Sequence, residues 1–231
     1  MESWWLWRDE DRSPFLNMAI DELLLVEPHY LAGLPMVRIY GWDRPAVSIG
    51  YVQNYTAAPP QGYTIVRRPT GGGVVFHDVD LTYTVVLPAA HPICRLDRME
   101  SYHVFHRAIL RALAELGIHG ELAPDHVAAS VDRATMQCFT TPTRYDVLGD
   151  GHKYAGAAQR RTREGILHQG SISLQAARGD RPRLIELLIK VFGSEFHLDF
   201  KNFIPDTTLL TAATAMAAAK YATPEWNHRR E

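Results

Sequence analysis

The chain has 231 residues, 46% of them hydrophobic, which is enough apolar material for one large domain with a substantial core. Its formal net charge of -2 argues against an overall basic field of the kind that binds nucleic acid. The opening MESWWLWRDEDRSPF carries charges where a signal peptide needs an apolar core, and no stretch has the uninterrupted apolar length that spans a membrane. A soluble, cytoplasmic protein with a single domain over 1–231 is therefore expected.

The first half of the chain predicts one helix followed by a series of strands. In SPFLNMAIDELLLVE, Ser13 is the expected N-cap, Pro14 lies in the first turn, and leucines and one isoleucine recur at helical spacing. Five short segments rich in β-branched and aromatic residues then follow, namely PMVRIYGW, AVSIGY, YTIVRR, GVVFHD and LTYTVVLP. These segments are typical of consecutive β-strands separated by Pro, Gly and Asn turns.

The second half mixes helices with a predicted hairpin. SYHVFHRAILRALAELG predicts a helix that ends at Gly117, and RPRLIELLIKVFG and TAATAMAAAKYATPEW predict two more, the last ending near Pro224. YDVLGDGHKYAG contains the turn pair Asp150–Gly151, and GILHQGSISL predicts a further strand. This order of elements predicts an α/β (α+β) fold in which a mixed β-sheet is flanked by helices.

The stretch RRPTGGGVVFHD, residues 67–78, places three glycines between an arginine pair and an apolar strand. Glycine permits positive φ and close approach of a ligand to the main chain, and guanidinium groups bind carboxylate or phosphate oxygens. Since successive side chains of a strand point to opposite faces, one arginine is expected to face the ligand, and we choose Arg68. A plain glycine hairpin with solvated charges is the alternative. His77 could hold a water, a carbonyl or an incoming amine, or be structural.

A second polar constellation surrounds Cys138 and Lys153. The only other cysteine is Cys94, and without a CxxC pair neither a disulfide framework nor a thiolate zinc site is expected. Small residues follow Lys153 and leave room beside the backbone. A lysine ammonium near a thiol favours the thiolate, which is the form that attacks acyl groups. The alternative is that Cys138 is a buried apolar residue and Lys153 a solvated hairpin charge.

Together, RRPTGGGVVFHD with LTYTVVLP, and GHKYAGAAQRR with HQGSISL, resemble the lipoate- and octanoate-transferring enzymes related to biotin protein ligases. FLNMAIDE and RIYGW resemble the family's opening helix and first strand, so the resemblance covers Trp4 to Leu174. Within the family, CFTTPTRYDV ahead of GHKYAG is most similar to the LipM-type octanoyltransferases, which use a cysteine. The resemblance implies the catalytic-domain fold of biotin and lipoate protein ligases, with the acyl chain in a tunnel floored by the glycine loop.

The resemblance also implies a ping-pong acyl transfer with Cys138 as the acyl-thioester nucleophile and Lys153 as its activating lysine. The donor would be acyl carrier protein, and the acceptor a lysine of a lipoyl domain or of the glycine cleavage H protein. No metal or other cofactor is expected. The expected substrate-binding residues are Arg68, Gly71, Gly72, Gly73, His77, Gly156, Ala158 and Gln159.

Three alternatives remain open from the sequence. A lipoate–protein ligase would use ATP and Mg²⁺ to adenylate a free acid, and the GGG form of the glycine motif is shared with ligases. An amidotransferase would move the acyl group between two lipoyl proteins, and a scaffold would keep the fold without the activity. The charges of Arg160, Arg161 and Arg163 are either docking groups for an acidic carrier protein or ordinary solubilising charges.

Overall fold

The computed structural model describes residues 1–58, 61–124, 143–175, 177 and 179–230, so Cys138 lies outside the described residues. Eleven strands occur in the described part of the chain: β1 (Glu2–Arg12), β2 (Met36–Trp42), β3 (Ala46–Ile49), β4 (Thr64–Arg67), β5 (Val75–Phe76), β6 (Asp80–Pro88), β7 (Glu121–Leu122), β8 (Val147–Gly149), β9 (His152–Arg161), β10 (Gly165–Ser173) and β11 (Leu198–Asn202). Its helices are α1 (Pro14–Val26), α2 (Arg98–Glu115), α3 (Arg181–Glu195), α4 (Thr207–Met216) and α5 (Pro224–Asn227), with a π-helical turn (Ala217–Tyr221) and 3-10 turns at Pro28–Leu31, Tyr55–Ala57 and Pro92–Arg95.

The strands form one large mixed sheet and one small sheet. The large sheet has the order β11-β1-β2-β6-β10-β9-β8-β7, in which β1 is parallel to both β11 and β2 and the remaining pairs are antiparallel. The small sheet has the order β4-β3-β5. The mixed sheet flanked by helices confirms the predicted fold class.

Helices cover both faces of the large sheet, because alternate residues of its central strands are apolar on both sides. In β6, Val85 belongs to the core cluster that contains Phe105 of α2 and Leu187 of α3. Its neighbour Val86 belongs to the other cluster, which contains Ile20 of α1 and further residues of α4. None of the described helices has the length and apolar character needed to cross a membrane.

Most of the predicted elements are present, with their expected boundary signals. Ser13 caps α1 by accepting a hydrogen bond from the Leu16 amide at 3.2 Å. Gly117 follows α2 with φ +74°, and the hairpin turn at Asp150 and Gly151 has φ +49° and +75°. The predicted last helix is instead two helices, since Pro224 begins α5 rather than ending α4. Strands β1, β7 and β11 were not predicted from the sequence.

Candidate functional site

A cavity lies where the small sheet meets the central strands of the large sheet. Strands β2, β6, β9 and β10 supply one side of it, and β3, β5 and the end of β4 supply the other. Its described lining consists of Met18, Tyr40, Trp42, Ser48, Arg68, Val75, His77, Thr82, Gly156, Ala157, Ala158, Gln169, Gly170 and Ser171. The cavity therefore joins the two sequence regions that were expected to form the site, namely residues 67–78 and the strand after Lys153.

Lys153 forms a fully buried ion pair beside this cavity. Its Nζ lies 2.7 Å from the Asp146 carboxylate, and each side chain is only 1% exposed. Asp146 also accepts hydrogen bonds from the backbone amide (2.5 Å) and the hydroxyl (2.9 Å) of Thr143. A charge pair taken out of water persists only with such additional hydrogen bonds. The lysine is therefore held as a fixed ammonium rather than as a solvated hairpin charge.

Gly156 makes room for that ammonium. A β-carbon at Gly156 would lie 2.3 Å from Lys153 Cε and 2.5 Å from Nζ, closer than real Cβ contacts allow. Gly156 lines this cavity, and Lys153 itself lines the neighbouring pocket that also contains Phe76 and Asp80. The absence of a side chain here thus serves a close approach between a strand and a cation.

Arg68 organises the glycine triplet from within. Its guanidinium donates hydrogen bonds to the carbonyl oxygens of Gly71 (2.6 Å), Gly73 (2.7 Å) and Ser48 (3.0 Å). Gly72 between them has φ +86°, a conformation that favours glycine. Of this motif, Arg68, Val75 and His77 line the cavity, whereas the three glycines are not among its described lining. The arginine therefore fixes the loop and presents its own side chain to the cavity.

Arg67 points the other way, as strand alternation predicts, and binds the C-terminal segment. Its guanidinium donates to the carbonyl oxygens of Asn227 (2.6 Å), Trp226 (3.1 Å) and Gln53 (2.6 Å). In return, the Trp226 indole donates to the Arg67 carbonyl at 2.8 Å. Burial lowers the pKa of Arg67 to about 10, and the nearby Arg229 and Arg230 add to that effect. The neighbouring arginines thus hold two different parts of the molecule in place.

His77 is part of a hydrogen-bonded chain at the cavity. Its Nε2 lies 2.8 Å from Ser48 Oγ, and its Nδ1 lies 2.9 Å from Asp80 Oδ2. Its ring stacks on the Trp42 indole with a centroid distance of 3.9 Å and an interplanar angle of 18°. The indole donates to Thr82 Oγ1 at 2.8 Å, and that hydroxyl donates to Asp80 at 3.0 Å. Both the position and the tilt of the imidazole are therefore fixed.

Gln169 links the cavity to a buried carboxylate on α1. Its amide nitrogen donates to Asp21 at 2.7 Å, and its oxygen accepts from the Thr70 hydroxyl at 2.7 Å. Asp21 also pairs with Arg38 at 2.7 Å and accepts from the Tyr40 hydroxyl at 2.9 Å. Burial, followed by the charge of Asp21, raises the pKa of Tyr40 well above its usual value, so the phenol stays protonated.

Ala158 lines the cavity, but the structure does not bring Gln159 to it. The Gln159 side chain packs towards α2, where it accepts from the Ser101 hydroxyl at 3.0 Å and lies 3.0 Å from His168 Nδ1. Arg161 is likewise occupied, since it donates to the Leu96 carbonyl at 2.9 Å. Arg160 pairs with Glu22 at 3.0 Å, and the exposed Arg163 pairs with Glu164 at 2.6 Å.

Sequence reasoning missed several residues of the site. Asp146 lies only seven positions before Lys153 in the same hairpin segment, so an ion pair between these opposite charges could have been predicted. Gln169 stands in the motif HQGSISL, but its partner Asp21 lies 148 residues away. Ser48 and Trp42 carried no local signal. Cys94 is half-buried, and burial raises the pKa of its thiol.

The chain is similar in sequence to a known protein family and to several of its members. Residues 13–188 match the model of the lipoyl protein ligase A/B catalytic domain. The octanoyltransferase LipM of Kyrpidia tusciae is 37% identical over 183 residues, covering 75% of this chain and 67% of that protein. The LipM of Bacillus subtilis is 33% identical over 198 residues, covering 81% and 70%.

Solved structures share the fold. Protein Ta0514 from T. acidophilum with bound lipoic acid superimposes with a TM-score of 0.80 at 21% identity, over 100% of both chains. Lipoate-protein ligase A bound with ATP gives a TM-score of 0.78 at 21% identity, over 99% of both chains.

Proposed function

Because the chain belongs to the lipoyl protein ligase A/B catalytic-domain family and is an acyltransferase, we propose that it moves an octanoyl group from acyl carrier protein to a lysine of a lipoyl domain. The transfer proceeds through a thioester on Cys138. The observation that carries this proposal is the Lys153 ammonium, buried against Gly156 at the cavity wall and paired with Asp146. The identity to octanoyltransferases over most of the chain supports the acyl group that is moved.

In the first half-reaction, the Cys138 thiolate attacks the carbonyl carbon of the octanoyl thioester. A carbon–sulfur bond forms to Cys138, the bond to the carrier's phosphopantetheine sulfur breaks, and that sulfur leaves as a thiolate, which takes a proton from water. Lys153 supplies a positive charge that favours the thiolate. Backbone N–H groups near the glycine loop or Gly156 stabilise the oxyanion that develops on the carbonyl.

In the second half-reaction, the amine of the acceptor lysine attacks the Cys138 thioester. An amide bond forms, the bond to Cys138 breaks, and the amine proton is transferred to the sulfur. The buried Asp146 keeps the ammonium of Lys153 in place through both steps. Lining residues such as Val75, Ala158 and Trp42 bind the acyl chain, and each buried methylene contributes about 0.8 kcal/mol.

The ligase is the second candidate, since the solved structure with ATP shares the fold and the GGG loop is common to ligases. In that case Lys153 would contact the phosphate of an acyl-adenylate, and Cys138 would have no chemical role. Transfer by the cysteine route needs no nucleotide, whereas adenylation consumes ATP. Amidotransfer between two lipoyl proteins would use the same cysteine with an octanoyl-protein donor.

One assay separates these reactions. The protein is given a lipoyl domain with octanoyl carrier protein and no ATP, with free octanoate plus ATP and Mg²⁺, or with an octanoyl-lipoyl protein. We expect labelling in the first reaction and its loss in Cys138→Ala, together with a hydroxylamine-sensitive octanoyl adduct on wild-type Cys138. Full activity of Cys138→Ala, or labelling only with free octanoate and ATP, would refute the thioester route in favour of the ligase.

A further inference from the structure

The carboxylate that pairs with Lys153 is held in a tight turn with an unusual backbone. The turn runs from Thr143 to Asp146, and the Asp146 amide donates to the Thr143 carbonyl at 3.0 Å. Tyr145 within it has φ +68°, a left-handed conformation that residues with a β-carbon rarely adopt. Such a conformation persists only where the surrounding structure holds it, and it occurs often at functional sites. The groups that hold Tyr145 therefore also determine where the Asp146 carboxylate lies.

His106 of α2 holds this turn from the helix side. Its Nδ1 lies 2.5 Å from the Tyr145 carbonyl oxygen, and the whole residue is buried. A carbonyl oxygen only accepts hydrogen bonds, so Nδ1 carries the proton and donates it. Nε2 is buried without a hydrogen-bond partner among the described residues, and burial lowers the pKa of His106 below its usual value. The ring is therefore a neutral donor with a fixed tautomer.

Other groups contact the same turn at different atoms. The Tyr145 amide donates to the Ala123 carbonyl at 3.0 Å. His103 stacks on the Tyr145 ring with a centroid distance of 4.6 Å, and Arg144 donates to the Tyr145 hydroxyl at 2.6 Å. In the part of the chain that the structure describes, the imidazole of His106 is the only donor to the Tyr145 carbonyl.

The peptide unit between Tyr145 and Asp146 transmits this contact to the lysine. A peptide unit is planar, so the Tyr145 carbonyl and the Asp146 amide rotate together. Thr143 holds the amide end of this plane, and His106 holds the carbonyl end. Without the imidazole the plane is free to rotate, and the Asp146 side chain turns with it, away from the Lys153 Nζ that it meets at 2.7 Å.

We propose that His106 is a positioning residue, which keeps the Asp146 carboxylate against Lys153 by holding the Tyr145 carbonyl. This inference rests on the proposed function, in which the Lys153 ammonium favours the Cys138 thiolate. Helix α2 contributes no residue to the described lining of the cavity, so His106 acts through the turn and not on the acyl group.

Three substitutions separate the hydrogen bond from the bulk of the ring. Asparagine carries its amide nitrogen on the γ carbon, as histidine carries Nδ1, whereas glutamine carries it one atom further out and leucine has no donor. His106→Asn should therefore keep the bond to Tyr145 and load Cys138 at nearly the wild-type rate. His106→Leu and His106→Gln should slow loading and alkylation of Cys138 about tenfold, the factor that corresponds to one lost buried hydrogen bond.

Reductive methylation of Lys153, quantified by mass spectrometry, reports on the ion pair without involving Cys138. The Lys153 side chain is 1% exposed and is held as an ammonium by Asp146, so wild type should be methylated slowly. His106→Asn should match wild type. His106→Leu and His106→Gln should be methylated about tenfold faster, because the amine is then released from its partner.

His91→Leu is the matched control. His91 is also buried and its Nδ1 also bonds the backbone, accepting from the Ile93 amide at 3.2 Å, but its ring packs against Trp4 and not against the turn. This variant should lower the unfolding temperature and leave both rates unchanged. A merely structural His106 would behave in the same way, with all three of its variants less stable and neither rate altered well below the unfolding temperature.

Failure of the proposed function gives a different result from failure of this inference. If no carrier thioester loads wild type, the thioester route is refuted, and the methylation rate of Lys153 alone decides the role of His106. If His106→Leu does not fold, the comparison of His106→Asn with His106→Gln decides. Equal methylation of Lys153 in these two variants would overturn the inference.

Discussion

Replacing Gly156 by alanine tests how closely the site depends on the buried lysine. The added methyl would lie 2.3 Å from Lys153 Cε, 2.5 Å from Nζ and 3.1 Å from Asp146 Oδ1. The Gly156 backbone itself tolerates alanine, since no positive φ occurs at this position. The methyl can be accommodated only if the lysine withdraws its ammonium from Asp146.

Moving the Lys153 ammonium away from Asp146 lowers the free energy of unfolding, because the carboxylate stays buried without its partner. Overpacking a well-filled interior costs about 1–3 kcal/mol. Removing one partner from a buried ion pair costs about 3–5 kcal/mol, and the Asp146 carboxylate here is 1% exposed. Asp146 would keep its two hydrogen bonds from Thr143, which offset part of the loss. We expect Gly156→Ala to lower the free energy of unfolding by about 2–4 kcal/mol and to abolish Cys138 loading.

Denaturant unfolding and single-turnover loading measure the two effects. Gly193→Ala in α3, away from the site, is the control, since a β-carbon there meets only Phe200 at 3.9 Å and its φ is not positive. Because the clash is with Lys153 itself, the stability cost of Gly156→Ala should nearly vanish in a Lys153→Ala background. Additive costs of the two substitutions would refute the steric argument.

Three further outcomes are expected. Gly72→Val should lower the free energy of unfolding by about 1–2 kcal/mol because of its positive φ. It should also stop acyl loading, because its Cβ would meet Arg68 Nη2 at 2.8 Å. Gly62→Val, which has a similar φ and no such contact, should lose stability alone, and equal acyl loading of the two variants would contradict this. Lys153→Ala should raise the Cys138 thiol pKa, so that alkylation near neutral pH slows; an unchanged rate would mean the residues are not neighbours. Burial holds the pKa of His168 well below 6.5, so the unfolded chain binds more protons and the free energy of unfolding should fall as pH drops below that value; a His168→Gln variant with an equally steep fall would contradict this.

The helices and hairpins whose ends carry sequence signals, such as caps and turn residues, could be predicted from the sequence. Helix α2 has a capping box of Asp97 and Glu100, and the turn at Asp150–Gly151 closes the β8–β9 hairpin. Strand β1 was missed because its sequence mixes tryptophans with charges, and its pairing is with β2 and β11, parallel neighbours that lie far away in the sequence. The side chain of Asp9, within that charged run, is buried because it pairs with Arg38. Such a long-range partner cannot be read from the strand alone.

The sequence predicted which residues belong to the site better than it predicted what those residues contact. Alternation along a strand correctly separated Arg67 from Arg68. Nothing local indicated that Arg68 binds the carbonyls of its own loop, since a guanidinium after a strand equally suits an anionic ligand. His77 was recognised in its motif, but its stacking partner Trp42 comes from a strand that precedes it by 35 residues.

The hydrogen bonds between Arg67 and the C-terminal segment affect the order in which the protein folds. Its contacts with Asn227 join residues 160 positions apart. A nascent chain therefore emerges from the ribosome with strand β4 and Arg67 already made, while the Trp226 and Asn227 carbonyl groups that Arg67 binds have not yet been translated. Contacts of such large sequence separation slow folding, because the entropy lost on closing a long loop must be offset before they form. Translation therefore has to reach residues 226 and 227 before their hydrogen bonds can hold strand β4, which lies next to the cavity.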